Sequence, residues 1–101
     1  MIKIHIKYEN EKINYIKISG HSGYADAGSD IVCASISTIC VTTVNALVRY
    51  NENSLLYTDS DGLLEIGIML HDNIIDMLVE NMVCLFESLS EQYPKNVKII
   101  K

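Results

Sequence analysis

A histidine and a cysteine twelve residues apart, His21 and Cys33, are the pair in this sequence best suited to covalent chemistry. His21 follows Gly20 at the end of a strand-like run. Cys33 falls early in a long apolar stretch that opens at Asp30. The thiolate is the reactive form of cysteine, and an imidazole within reach can take the thiol proton or pair with the thiolate. A helix start adds partial positive charge and unpaired N–H groups. Both favour a thiolate, and the N–H groups could also hold an oxyanion formed when sulfur attacks a carbonyl. Packing is the competing account, because a cysteine is often just a small buried hydrophobe. The charge of Asp30 also opposes thiolate formation. On these residues alone both accounts stay open.

Those side chains need elements to position them. Ile2, Ile4, Ile6 and Tyr8 alternate with Lys3, His5 and Lys7, the period-two pattern of a half-buried strand. Glu9 to Lys12 is polar enough to turn. Ile13 to Ser19 reads as a second strand, with Ile16 and Ile18 on one face and Gly20 closing it. Residues 21–29 carry Gly23 and Gly28 among small side chains, so a loop is expected that could close on a ligand as a lid. Asp30 is the expected N-cap of a helix from Ile31 to about Tyr50, with Ser29 as the alternative cap. Its β-branched residues leave helix against strand undecided locally. Its length of about twenty residues decides for helix.

Asp59-Ser60-Asp61-Gly62 is a strong hairpin signal between strands at Ser54–Thr58 and Leu63–Leu70. Asp72 then caps a second helix that runs to about Tyr93. Its apolar stripe is Ile75, Leu78, Val79, Met82, Leu85, Phe86 and Leu89. Pro94 closes it, and Val97 to Ile100 forms a last strand. The order ββαββαβ predicts an α+β fold, a mixed or antiparallel sheet packed by two long helices, with residues 1–101 as a single domain.

At 101 residues and 49% hydrophobic content the chain can build one core. No eighteen apolar residues run without interruption, so no membrane partner is expected. The alternating N-terminus lacks the continuous apolar centre of a secretory signal. The net charge of −5 argues against direct nucleic-acid binding. Residues 1–50 carry 5 basic and 4 acidic side chains, whereas residues 51–101 carry 3 and 9. That acidic half could attract a basic partner or could simply be a solvated surface.

Cysteines number three, Cys33, Cys40 and Cys84, a poor disulfide framework that suits a reducing cytoplasm. Cys40 lies two turns beyond Cys33, about 10 Å along a helix, and is expected to pack in the core. Cys84 points away from the second helix's stripe, near Met77. His5 and His71 show no metal-ligand spacing with a cysteine. His21 and Cys33 alone would leave a zinc site two ligands short, so neither metal nor cofactor is expected.

The run Gly20-His21-Ser22-Gly23-Tyr24-Ala25-Asp26-Ala27-Gly28-Ser29-Asp30-Ile31-Val32-Cys33-Ala34-Ser35-Ile36-Ser37 resembles the signature of the bacterial ribosomal-processing cysteine protease family, Prp. That signature is Gly-His-Ala, a short glycine-containing loop, then Gly-x-Asp-Ile-Val-Cys-Ala-Ala-Val-Ser. Gly20, His21, Gly28, Asp30, Ile31, Val32, Cys33, Ala34 and Ser37 match it. Ser22, Ser35 and Ile36 depart from it by small changes. Tyr93-Pro94 resembles the family's ending of the second helix, although Leu85-Phe86-Glu87 stands where a glycine is usual.

The resemblance implies a sheet with helices on it, usually as a homodimer. It implies that Cys33 is the nucleophile and His21 its proton-transfer partner. It further implies that the substrate is the short N-terminal extension of the large-subunit ribosomal protein numbered twenty-seven. That extension is apolar, with aromatic residues before the cut. Supporting roles follow by inference: Asp30 as helix cap or as an orienter of His21, and Ser37, one turn past Cys33, as a hydrogen-bond donor near sulfur or a back-bond to the helix. Rival readings are a non-enzymatic peptide-binding module of ribosome assembly and a thiol hydrolase of small esters or amides.

Overall fold

The computed structural model describes residues 1–20, 27–60 and 62–101, with 27–30 as backbone only. The elements are β1 (Ile2–Glu9), β2 (Lys12–Ser19), α1 (Ala27–Tyr50), β3 (Leu55–Ser60), β4 (Leu63–Ile68), α2 (Asn73–Gln92) and β5 (Val97–Ile100). The strands form one sheet in the order β3-β4-β2-β1-β5. The β1–β5 pair is parallel and the other pairs are antiparallel, so the α+β fold expected from the element order has a mixed sheet.

Both hairpins are tight for reasons visible in the chain. Asn10 and Glu11 connect β1 to β2 with φ of 53° and 66°, the sign that matches the twist of the flanking strands. The pairing of Ser60 with Leu63 leaves two residues for the β3–β4 turn, where Gly62 takes φ of 80°. β3 therefore runs two residues further than the sequence predicts. Its turn is the last two residues of the Asp59–Gly62 signal, not all four.

Alternation sorts the sheet into two faces. Ile2, Ile4, Ile6, Ile16, Ile18, Leu64, Ile66 and Ile68 are buried beneath the helices. The helices answer with Val32, Ile36, Cys40 and Leu47 from α1 and with Ile75, Val79, Met82, Val83 and Phe86 from α2. Leu85 departs from expectation. It is 43% exposed, and Val83 takes its place in the core. α2 is turned so that Leu85 faces the groove between the two helices.

The start of α1 is a second correction. The helix begins at Ala27, not after Asp30, so Ser29 and Asp30 lie inside it and neither is its N-cap. Gly28 belongs to its first turn and not to a loop. Three helical residues before Asp30 move every later position a turn deeper. The expected lid also contains residues 21–26, which lie outside the described residues.

α1 is also more apolar than a count of uninterrupted runs suggests. Ile31–Tyr50 is long enough to cross a membrane and has a mean hydropathy of 2.0. The serines and threonines that break the run lower its hydropathy little. Ser35, for one, satisfies its hydroxyl on the Ile31 carbonyl at 2.9 Å. Here the helix lies across the sheet and buries one flank.

Polar contacts fix the helix ends. Asp72 caps α2 as expected: its Oδ1 accepts from the Ile75 N–H at 2.8 Å, and its Oδ2 accepts from the Tyr50 hydroxyl at 2.7 Å. One carboxylate thus joins the end of α1 to the start of α2. The Ile75 N–H and then Tyr50 hold its pKa below the usual carboxylate value. Burial pushes the Asp76 carboxyl up, but hydrogen bonds from His71 and Lys12 outweigh it and leave a net lowering. Those partners lie 2.7 and 3.2 Å away. Ser54, fully buried, donates to the Leu47 carbonyl and accepts from the Met69 N–H, tying α1 to the end of β4.

β2 ends at Gly20, where φ is 81° and an added Cβ would overlap the Met1 carbonyl oxygen. An L residue there meets both a disfavoured backbone and a backbone atom that cannot move aside cheaply.

Two outcomes follow. A depressed carboxylate stabilises the fold above its unfolded pKa and loses that contribution as pH falls through its folded value. Asp72→Asn keeps a good capping side chain but has no such titration. Its thermal midpoint at neutral pH should fall modestly, because one amide oxygen cannot accept from both Ile75 and Tyr50, and the gap from the native chain should close in acid melts as pH falls below the ordinary carboxylate range. An unaltered acid profile would mean the charge on Asp72 is not used. Gly20→Ala should cost roughly 1–2 kcal/mol or more, a fall in midpoint of about 4–8 °C for each kcal/mol. Gly67→Ala is the control, since its Cβ would meet only Met69 Sδ at an ordinary 3.9 Å.

Candidate active site

Cys33 is the seventh residue of α1, half-buried and packed against the core. In a regular helix the N–H of a seventh residue already bonds the carbonyl four positions back. The dipole's influence also fades within the first turn. The helix start therefore offers the Cys33 sulfur less than the sequence reading supposes, and an activating group has to come from a side chain.

The fold brings particular backbone segments to that sulfur. Ser54 against Leu47 sets the start of β3 beside the end of α1, and β3 then runs back along the helix. The Asp59 carboxylate raises the pKa of Cys40, so the two are neighbours. From Cys40 to Cys33 is about 10 Å along the helix axis. β3 ends one residue beyond Asp59, at Ser60. Cys33 thus lies beyond the level of Asp59, toward the end of the sheet that holds the β3–β4 turn. At that same end Ser19 pairs with Leu63, so β2 leaves the sheet beside the turn, at Gly20. His21 is the next residue in the chain, and its placement lies outside the described residues. So does that of Gly23, and the Asp30 side chain is likewise undescribed. Gly20, where β2 leaves the sheet, and Cys33, two turns from Cys40 toward the start of α1, therefore both lie toward the end of the sheet that holds the β3–β4 turn.

Other candidates sort themselves by their angle around α1. Ser37, one turn past Cys33, is exposed, and its hydroxyl makes no hydrogen bond among the described residues; Ser35 makes the back-bond instead. Cys40 is fully buried, and burial first and Asp59 second push its thiol up to about 12, so it stays neutral. Cys84 is exposed, as its position off the stripe predicts. His71 is engaged by Asp76 and sits at the far end of β4.

Two residues have no role in the sequence reading beyond strand and turn. Tyr57 and Asp59 point to the helix side of β3, since their partners Ile66 and Leu64 are buried there. α1 nonetheless leaves both exposed, so they form a shelf beside the flank that carries Cys33, Ser37 and Cys40. Burial, then Asp59, raises the Tyr57 phenol. Only the pairing register could have shown which way they point.

A groove among the described residues lies elsewhere. It occupies about 630 Å³ between α1 and α2 and is lined by Ile31, Ala34, Thr38 and Leu85 among others. Its α1 residues lie about 100° or more around the helix from Cys33. It is therefore not where the thiol points.

Comparison with known proteins covers nearly the whole chain. The family described as cysteine protease Prp matches residues 1–98. The ribosomal processing cysteine protease Prp of Staphylococcus aureus strain Mu50 is 24% identical, covering 98% of this chain and 97% of the relative. That of Bacillus subtilis strain 168 is 27% identical, covering 98% and 96%. Among solved structures, the essential ribosomal processing protease Prp from S. aureus in complex with a substrate peptide superposes with a TM-score of 0.90 at 22% identity, over 98% of this chain and 97% of that one. SMU.848 from Streptococcus mutans gives 0.86 at 27% identity, over 99% and 92%. The chain belongs to the ribosomal processing cysteine protease family Prp.

Proposed function

We propose that this protein is a cytoplasmic cysteine endopeptidase that removes the short N-terminal extension of the large-subunit ribosomal protein numbered twenty-seven. In this reading Cys33 attacks the scissile carbonyl. His21 takes the thiol proton and returns it to the leaving amine, and water hydrolyses the thioester. The observation that carries the reading is that the chain matches the protease family from residue 1 to 98, with the Gly20-His21 and Asp30-Ile31-Val32-Cys33 parts of its signature present in the sequence. With Cys33 beyond the first turn of α1, His21 is asked to supply the activation.

The same protein is proposed to work as a homodimer. Support comes from the flank of α1 turned away from the sheet. Val41 and Val48, 61% and 45% exposed, lie one above the other two turns apart, and Ile31, 58% exposed, lies about 80° further round the helix beside the groove. Together with the groove beside Leu85 they leave a long apolar surface that a second copy could cover.

Mass spectrometry of a peptide spanning the extension tests the first reading. The native chain should make a single cut, Cys33→Ala should make none, and His21→Ala should be slower by about 10²–10⁴-fold. Binding without cutting by all three proteins would make this a peptide-holding module instead. Sedimentation tests the second. The native chain should run as a dimer at micromolar concentration and Val41→Glu as a folded monomer. A native monomer would overturn it.

A further inference from the structure

The sheet has a face that no helix covers, and its charge is opposite to that of the chain. Because Ile2, Ile4 and Ile6 point to the helices, Lys3, His5 and Lys7 point away. The register carries this face across the neighbours: Lys7 pairs with Tyr15, His5 with Lys17, and Lys3 with both Ser19 and Lys98. Four lysines and a histidine therefore gather on three adjacent strands. Among the described residues two acidic side chains share this face: Glu65, the partner of Lys17 on β4, and Glu9, next after Lys7 in the alternation of β1. Four lysines against two glutamates is net +2, which leaves −7 for the rest of a chain of −5.

The pairing of the lysines sharpens the contrast. Lys12 and Lys101 each have a carboxylate partner, at 3.2 and 2.7 Å. Among the described residues none of Lys3, Lys7, Lys17 and Lys98 has one within 4.0 Å. Lys7 lies over the Tyr15 ring, 5.4 Å from its centre. Surplus acid on the molecule is not spent on these four cations.

We propose that this open face of the sheet binds the phosphate backbone of RNA. Lys3 and Lys7 are about 13 Å apart along β1, and the three strands span about 10 Å. A ligand that uses them all carries repeated negative charge over that distance, as a nucleic-acid strand does and a single anion does not. Ser19, Thr58 and Ser60 share the face and offer hydroxyls to a ribose 2′-OH. The apolar side chains beside the lysines, Tyr15 and Ile100, are only half exposed and offer little to insert into a lipid surface. Net charge alone argued against nucleic acid; sorted by face, the same residues make one surface fit for it. The face is on the opposite side of the sheet from Cys33, so it can hold RNA while a peptide is cut.

Fluorescence anisotropy with a labelled oligouridine RNA tests this on the full chain. Binding should weaken between about 50 and 200 mM salt, with log K falling against log salt by about 0.7 for each phosphate neutralised, so by about 2–3 for this face. The Lys3→Gln, Lys17→Gln, Lys98→Gln triple variant should lose at least about 10-fold in affinity and most of that slope. The triple arginine variant should keep both, and Lys12→Gln should change neither. Thermal midpoints of all variants report folding. No binding at the lower salt, an equal loss in Lys12→Gln, equal affinity for the matching DNA, or retention on phosphatidylserine vesicles without RNA binding would each overturn the proposal.

Discussion

Ile4, Ile16, Ile18 and Ile66 are fully buried and all point to one side of the sheet. Each such side chain contributes about 1.5–3 kcal/mol when taken from water, far more than a surface ion pair gives. Covering that face takes a helical layer on one side only, and two helices of 24 and 20 residues supply it. The rest of the architecture follows from this one-sidedness. The opposite face stays wet and free to carry lysines. α1, laid beside the edge strand β3, cannot bury both its flanks. One of them therefore holds Cys33 beside an exposed shelf, while another is left apolar and uncovered.

That geometry also bears on the nucleophilic role proposed for Cys33. A cysteine in a first turn would borrow from unpaired N–H groups. A cysteine in the seventh position has an engaged N–H and a thiol leaning on the core. Burial raises a thiol, and it is the larger of the two causes, ahead of Asp59, that raise Cys40 two turns further on. A base brought by another element is then the natural remedy. The conformation of Gly20 controls where the chain leaves β2 on its way to His21. Its positive φ and its contact with the Met1 carbonyl make it part of the positioning, not just a breaker at a strand end.

How much of this could be read from the residues differs by element. The strands were legible because alternation is a local signal, and α2 was legible because Asp72 both reads as a cap and acts as one. The start of α1 was not. Ala27, Gly28 and Ser29 are as much at home in a loop as in a helix turn, and an aspartate followed by apolar residues mimics a cap. Strand order was beyond reach, because it depends on which edges pair, and so was the inward aim of Tyr57 and Asp59. The motif around Cys33 was legible as a family resemblance before any geometry, yet its chemistry could not be separated from packing by spacing alone.

Cys33 and Cys40 show why spacing could not separate them. Seven residues turn a helix through about 700°, which leaves the two only about 20° apart around the axis. A helical wheel places them on nearly the same face. What differs is what lies opposite each one. Cys40 belongs to the buried core, and its exposure is zero. Cys33 lies two turns nearer the start of α1, toward the end of the sheet that holds the β3–β4 turn and the exit of β2. Two chemically identical side chains on one flank thus have different fates, one an inert filler and the other half open. The deciding quantity is position along the helix axis relative to a sheet whose length is set by where its strands turn.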